Sequence, residues 1–187
     1  TNACSVFCLL TTNSLTRFHA HFSTCKARGA EGFDLHGGAC KGDGSWYREL
    51  AYECRGGNMH VNLLAMGVSL GGATRPGQGG YVIVPGSHKS NFPCPPDMRK
   101  YLAHQENVRQ IVCKAGDAVI FTEATTHGTL PWTSDTPRRS LLTRYTAGNM
   151  AYTPSYEVPE WADERERAVM EKPYHTRLNR PILEDGE

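Results

Sequence analysis

His127 and Arg138 are the residues whose types and spacing best support chemistry. His127 lies in FTEATTHGTLPW, directly after an apolar segment, residues 117–122, that reads as a β-strand. At the end of a strand, an imidazole reaches the mouth of a barrel, and imidazole is a common metal ligand. Arg138 lies in TPRRSLLTRY at the start of the next predicted strand, where its planar guanidinium can bind a carboxylate in a bidentate manner. The pair predicts a metal held near a bound carboxylate.

The elements that must position these residues are mainly β-strands. Segments rich in Val, Leu, Ile and Met alternate with Gly-rich or Pro-rich breaks, and they predict strands at residues 60–70, 80–84, 108–114, 117–122 and 140–146. Helix signals are confined to the two ends, at residues 14–27 and 159–171. Short strands with this punctuation indicate a barrel or a sandwich.

Composition narrows the classes of partner. At 187 residues the chain is long enough for one domain, and we expect residues 1–187 to form it. Lys and Arg number 20 and Asp and Glu 19, so a net charge of +1 provides no broad field for nucleic acid or an anionic membrane. Apolar runs are much shorter than the roughly 20 residues that cross a bilayer. A small-molecule substrate is therefore expected, and the oligomeric state is left open.

The seven cysteines bear on the compartment of the protein. They are scattered, with no CxxC pair and no regular framework. Reduced thiols are the simplest interpretation, and they predict a soluble, cytoplasmic protein.

Several segments together resemble the phytanoyl-CoA dioxygenase (PhyH-like) family. They are GGYVIVPGSHK at 79–89, AGDAVIF at 115–121, and His127 followed by Arg138. The resemblance runs from about Gly32 to Leu183 and includes the segment from Trp161 to Pro181, which is similar to an uncharacterised subgroup. The first 30 residues match poorly, so we expect the N-terminal helical part to be short or incomplete.

The resemblance implies a mainly β fold, a double-stranded β-helix of the jelly-roll, cupin-like type with flanking helices. It also implies Fe(II) as the metal and 2-oxoglutarate as the cosubstrate. By position, His127 corresponds to the distal iron-binding His and Arg138 to the arginine that grips 2-oxoglutarate, with Arg139 as the reserve candidate. The upstream iron ligand corresponds to His36 in FDLHGGACKG.

The chain departs from the family pattern at the acidic iron ligand. The family's His-x-Asp becomes His36-Gly37-Gly38, so the usual carboxylate is absent. Glu123, just before His127 on the same segment, is the preferred substitute because two His and one carboxylate form an iron-binding face. Asp34 is a weaker one.

Two other interpretations of position 38 require no replacement carboxylate. Iron halogenases similar to this family have Gly or Ala at the acid position and bind a halide there, which His36-x-Gly38 formally matches. Alternatively, the site has decayed into a non-catalytic barrel that binds a small molecule. The expected activity is oxidation of a small organic substrate by a non-haem iron, 2-oxoglutarate-dependent oxygenase, with hydroxylation of an unactivated C–H bond as the default.

Overall fold

The fold is built almost entirely from short antiparallel strands. In the computed structural model, which describes residues 16–71, 75–147, 150 and 158–170, the strands are β1 (Thr16–Lys26), β2 (Phe33–His36), β3 (Tyr52–Arg55), β4 (Asn58–Val61), β5 (Leu63–Gly71), β6 (Gly80–Ile83), β7 (Arg109–Gln110), β8 (Ala118–Thr122), β9 (His127–Leu130) and β10 (Arg138–Ala147). The described helices are α1 (Pro96–Arg99), α2 (Glu164–Met170) and the 3-10 turns Arg48–Leu50, Ser87–Lys89 and Gln105–Asn107. None of these helices is long and apolar enough to span a membrane.

Two four-stranded sheets form the body of the protein. Their strand orders are β1-β10-β5-β8 and β2-β9-β6-β7, and β3 and β4 form a separate hairpin. Strands distant in the chain are thus neighbours in each sheet, which is the connectivity of a jelly roll. The double-stranded β-helix expected from the family resemblance is confirmed.

The N-terminal helix prediction is wrong over the described residues. Residues 16–26 form β1, whose partners run in register from Thr16 beside Ala147 to Lys26 beside Arg138. The sequence TRFHAHFSTCK is rich in aromatic and β-branched residues, and pairing along the whole of β10 outweighs its local helix propensity. Residues 14–15 of that prediction lie outside the described residues.

Other strand boundaries also shift. The predicted strand 60–70 is divided at Asn62 into the end of β4 and the start of β5, and the segment 108–114 contains only the two residues of β7. Strands β6, β8 and β10 lie where they are predicted. The predicted C-terminal helix begins later than expected, at Glu164, and its last residue, 171, is outside the described residues.

The described cysteines, at positions 25, 40, 54, 94 and 113, are all free.

Strand β2 turns one face to a hydrophobic core and the other to a cavity. Leu35 is fully buried against Val82 of β6 and Met98 of α1. Phe33 and His36, by contrast, both line the cavity, although residues three apart on a regular strand face opposite ways. A register shift between Phe33 and His36 resolves this conflict, because a β-bulge changes which way a side chain points.

Candidate active site

Two histidines face each other across neighbouring strands. His36 is the last residue of β2 and His127 the first of β9, and the two are paired in register. Their ring centroids lie 4.2 Å apart. The Phe121 ring of β8 lies 4.6 Å from the His127 ring and closes one side of the pair. Residues far apart in the sequence are therefore brought together by strand pairing alone.

The hydrogen bonds of the two rings fix which nitrogen is free. His36 Nδ1 donates to the Asp34 carbonyl at 2.9 Å, and His127 Nδ1 donates to the Thr125 carbonyl at 2.7 Å. A carbonyl oxygen only accepts, so Nδ1 carries a proton in both rings, and in the neutral form of each ring the lone pair is on Nε2. Burial lowers the pKa of His127, which favours the neutral ring. Two Nε2 atoms, each oriented by the hydrogen bond of the Nδ1 atom in the same ring, are suited to bind a metal.

Glu123 brings a carboxylate to the histidine pair. It follows β8, is 3% exposed, and has Oε2 3.8 Å from His127 Nε2. Its other oxygen, Oε1, accepts a hydrogen bond of 2.8 Å from Arg144 Nε. As arranged, no three His, Cys, Asp or Glu side chains within the described ranges form a ready metal site. Oε2 of Glu123 nevertheless lies beside one member of the histidine pair, His127.

The two glycines after His36, Gly37 and Gly38, differ in how much space a side chain would have at their positions. A Cβ on Gly37 would lie 2.5 Å from the Thr125 carbonyl and 3.1 Å from His127 Nδ1, so any side chain there would displace the histidine segment. A Cβ on Gly38 would meet only the Ala124 carbonyl, at 3.6 Å, although its φ of +77° disfavours residues other than glycine. There is thus room at position 38 where the family places its acid.

Lys41 places a positive charge beside Gly38. Its Nζ donates to the Gly38 carbonyl at 3.1 Å. Burial, and then the nearby charge of Arg99, lower the pKa of Lys41, while the charge of Glu123 raises it. The position that lacks the acid therefore faces a partly desolvated cation.

The histidines open into a cavity of about 420 Å³ between the two sheets. Arg138 of β10 lies along the same cavity, is 7% exposed, and stacks its guanidinium 4.0 Å from the centre of the Tyr81 ring. Leu142 and Arg144 point the same way because side chains on a strand alternate with period two. Arg139 is exposed and does not line the cavity. The structure thus brings Arg138, and not the reserve candidate, together with the histidines.

Among the other side chains that line this cavity, Thr24 and Tyr81 are not among the site residues that the sequence predicts. Thr24 Oγ1 is buried and has no hydrogen-bond partner among the described residues. Tyr81 contributes the ring that Arg138 covers. Asp34, the weaker acid candidate, pairs instead with Lys100 at 2.5 Å. Thr24 pairs with Ser140 of β10, so the period-two pattern of that strand is a signal that could have pointed to Thr24.

A jelly roll with paired histidines and a buried arginine on one cavity is a cupin-like arrangement. Residues 72–140 match the family model described as Phytanoyl-CoA dioxygenase (PhyH). This segment contains Glu123, His127 and Arg138, so the resemblance seen in the sequence is confirmed over the part of the chain that carries them. A search of curated proteins finds no match.

Solved structures with the same fold are similar to the chain at low sequence identity. HygX from Streptomyces hygroscopicus, with nickel, 2-oxoglutarate and hygromycin B bound, has a TM-score of 0.69 and 18% identity over 83% of this chain and 66% of that chain. HygX with iron bound has a TM-score of 0.65 and 19% identity, over 79% and 64%. AviO1 from Streptomyces viridochromogenes Tue57 has a TM-score of 0.53 and 18% identity, over 74% and 54%. The chain spans less than two thirds of the length of each of these structures.

Proposed function

We propose that the chain is a non-haem Fe(II)- and 2-oxoglutarate-dependent oxygenase. The observation that carries this proposal is Arg138, which is 7% exposed and has no acidic partner among the described residues. A buried guanidinium without a counter-charge is costly, and a bound carboxylate would offset that cost. The same cavity contains two histidines whose Nε2 atoms are free for a metal. A ligand with a carboxylate at one end and a metal-chelating group at the other fits both features.

The metal would be held by His36, His127 and Glu123. Oε2 of Glu123 faces His127 Nε2, while Arg144 holds Oε1 and fixes the direction of the carboxylate. Two imidazoles and one carboxylate are the donor set typical of non-haem Fe(II). In this proposal, an acid from the end of β8 takes the role of the acid missing at Gly38.

The cosubstrate would lie between the metal and the Arg138 end of the cavity. Arg138 would bind its distal carboxylate, and the unpartnered Thr24 hydroxyl is available to donate to the same group. Bound iron and 2-oxoglutarate would together supply dioxygen activation, with one oxygen atom entering the substrate and the other entering succinate as carbon dioxide is released. The chain's own contribution is to orient these partners and exclude water.

The substrate is proposed to be a small organic molecule, hydroxylated at an unactivated C–H bond. Support comes from HygX, whose structure holds hygromycin B, a small molecule, together with 2-oxoglutarate. The low net charge gives no reason to invoke nucleic acid or a membrane.

Metal-dependent succinate formation tests the proposal. Purified protein is incubated with 2-oxoglutarate, ascorbate and oxygen, with and without Fe(II), and succinate is quantified. We expect iron-dependent succinate that Arg138→Ala strongly reduces and that Arg139→Ala, at the exposed neighbouring position, does not. Folded protein that yields no iron-dependent succinate would instead indicate a non-catalytic barrel.

A halogenase is the second candidate, favoured by the surroundings of Gly38. Gly38 has no side chain, and the position around its Cα has space for a small ligand. The Lys41 ammonium hydrogen-bonds the carbonyl of the same residue. A halide at this position would balance the charge of the metal in place of the acid. In that case Glu123→Gln would leave iron binding intact, and binding would depend on chloride.

A further inference from the structure

A second, larger pocket lies beside the histidine pair. It is open and has a volume of about 860 Å³. One wall is the β3–β4 hairpin, which contributes Tyr52, Met59 and His60, and the other is formed by the ends of β6 and β8, including Ile83, Val119 and Phe121. The hairpin is outside both main sheets, so it can form a wall without disturbing them.

The lining of this pocket is uncharged. Among the described residues, no Asp, Glu, Lys or Arg side chain lines it. His88 packs edge-on against the Tyr52 ring at 4.8 Å, and burial lowers the pKa of His88, which favours its neutral form. His60 hydrogen-bonds Asn62 Oδ1 at 2.9 Å. The other polar atoms of the lining are hydrogen-bond donors and acceptors on an apolar surface.

The pocket adjoins the histidine end of the first cavity. Phe121 lines both spaces, and its ring lies 4.6 Å from that of His127. Thr125, which also lines the larger pocket, accepts the Nδ1 hydrogen of His127 through its carbonyl. Arg138 does not line the larger pocket. A molecule held there would thus approach the metal-binding end and leave the Arg138 end to the cosubstrate.

We propose that this pocket binds the substrate to be oxidised, and that the substrate is an uncharged, mainly apolar organic molecule. This inference rests on the oxygenase function proposed above. A cationic substrate needs carboxylates and an anionic one needs Arg or Lys, because an unpaired charge loses hydration on entering an apolar pocket. The described lining offers neither. Neutral hydroxyl or carbonyl groups, in contrast, can pair with Tyr52, His60 or His88.

Three matched probes test the charge preference. They are 4-phenyl-1-butanol, 4-phenylbutylamine and 4-phenylbutyrate, which share a body and differ in the charge of one terminal group. Binding is measured by calorimetry on the protein loaded with Fe(II) and 2-oxoglutarate without oxygen. We expect the alcohol to bind at least about tenfold more tightly than either charged probe.

Two variants locate the binding. Met59→Glu places a charge on the hairpin wall, and Leu70→Glu is its control, because Met59 is 60% exposed and Leu70 is 59% exposed but does not line the pocket. Met59→Glu should weaken alcohol binding about tenfold and improve amine binding, while Leu70→Glu should change neither. Val119→Trp, which fills the pocket, should also abolish alcohol binding without weakening that of 2-oxoglutarate.

The outcomes separate this inference from the function on which it rests. Formation of the Fe(II) and 2-oxoglutarate complex without preference for the alcohol, or with binding unaffected by Met59→Glu and Val119→Trp, overturns the substrate class and leaves the oxygenase standing. Binding of the alcohol in the expected place without any Fe(II) and 2-oxoglutarate complex supports the ligand class and overturns the oxygenase.

Discussion

The two ends of the 420 Å³ cavity are built in different ways. At one end Arg138 stands at the start of β10, buried and stacked on Tyr81. At the other end the two histidines lie together, and in our proposal the acid follows a different strand from the one that ends in His36. Glu123 follows β8, whereas the family's acid belongs two residues after His36, where this chain has Gly38.

If Glu123 is the acid, as we propose, the site keeps its arrangement of charges while a different residue supplies the negative charge. At the arginine end, the role depends on one side chain with a fixed strand position. At the histidine end, a carboxylate is needed only within reach of two Nε2 atoms, and either Gly38 or the end of β8 adjoins that space. We therefore expect that the arginine cannot be moved to another position without loss of function, whereas the acid at the histidine end can.

The largest effect is expected from removing a histidine. His127→Ala should weaken Fe(II) binding by about 100-fold or more, since one of two imidazole ligands is lost and even outer partners of ligands are worth about 10–100-fold. His36→Ala should do the same. Fe(II) affinity is measured by competition with a chelator, with His60→Ala as the control because His60 is exposed and its Nε2 hydrogen-bonds Asn62 Oδ1. Equal losses in the control would contradict the assignment.

The arginine end is tested by Arg138→Ala. Loss of a charge-assisted hydrogen bond costs about 1.5–3 kcal/mol, so 2-oxoglutarate affinity should fall about 10- to 100-fold while Fe(II) affinity is unchanged. Arg139→Ala is the matched control on the exposed side of the same strand. A comparable loss of 2-oxoglutarate binding in Arg139→Ala would show that Arg138 has no special position.

The relocated acid is tested by Glu123→Gln, which keeps an oxygen for Arg144 and removes the charge. Fe(II) affinity should fall about tenfold. Adding Gly38→Asp should restore part of it, at a cost of about 1 kcal/mol in stability because the φ of position 38 is +77°. Unchanged Fe(II) affinity in Glu123→Gln would favour the halide alternative, and no recovery in the double variant would contradict the idea that the acid can be relocated.

The smallest expected effect is on the free energy of unfolding, through the hydrogen bond of Tyr101 to β2, the strand that ends in His36. Its hydroxyl donates to the Phe33 carbonyl at 2.8 Å, and burial, followed by the charge of Asp34, raises its pKa to about 12. The folded state thus holds this proton more tightly than the unfolded state, whose tyrosine has the ordinary value of 10.0. The contribution is present below pH 10 and is lost as the pH rises towards about 12.

Tyr101→Phe should remove that alkaline slope, measured as the difference in unfolding free energy between the two proteins from pH 9 to about 12. At neutral pH the variant should be about 1 kcal/mol less stable, the usual value of one hydrogen bond. Fe(II) affinity should be unchanged. An identical alkaline slope in both proteins would show that Tyr101 is not the group responsible.

The features that can be predicted from the sequence are those encoded locally. Strands β6, β8 and β10 have apolar runs between breaks, and Arg138 lies at a strand start that its neighbours reveal. The helix prediction fails at β1 because the structure of that strand depends on β10, more than 100 residues away. Strand β2 is four residues long, too short for a periodic signal, and its bulge depends on pairing with β9.

The candidate site also combines residues that can be predicted from the sequence with contacts that cannot. His36, His127 and Glu123 are assigned from the resemblance and from proximity in the chain, and they remain predictions although they lie together. The ion pair of Glu123 with Arg144, the cation at Lys41 and the Thr24 hydroxyl arise from packing between elements. No local pattern specifies such contacts, because they follow from which strands become neighbours.

The central claim is that metal and cosubstrate share one cavity, and an anaerobic titration with Fe(II) and 2-oxoglutarate tests it most directly. The account predicts a visible charge-transfer absorption that requires both additions, is lost in His127→Ala, and appears in Arg138→Ala only at much higher 2-oxoglutarate concentration. Folded wild-type protein that binds neither partner and develops no such absorption would contradict it.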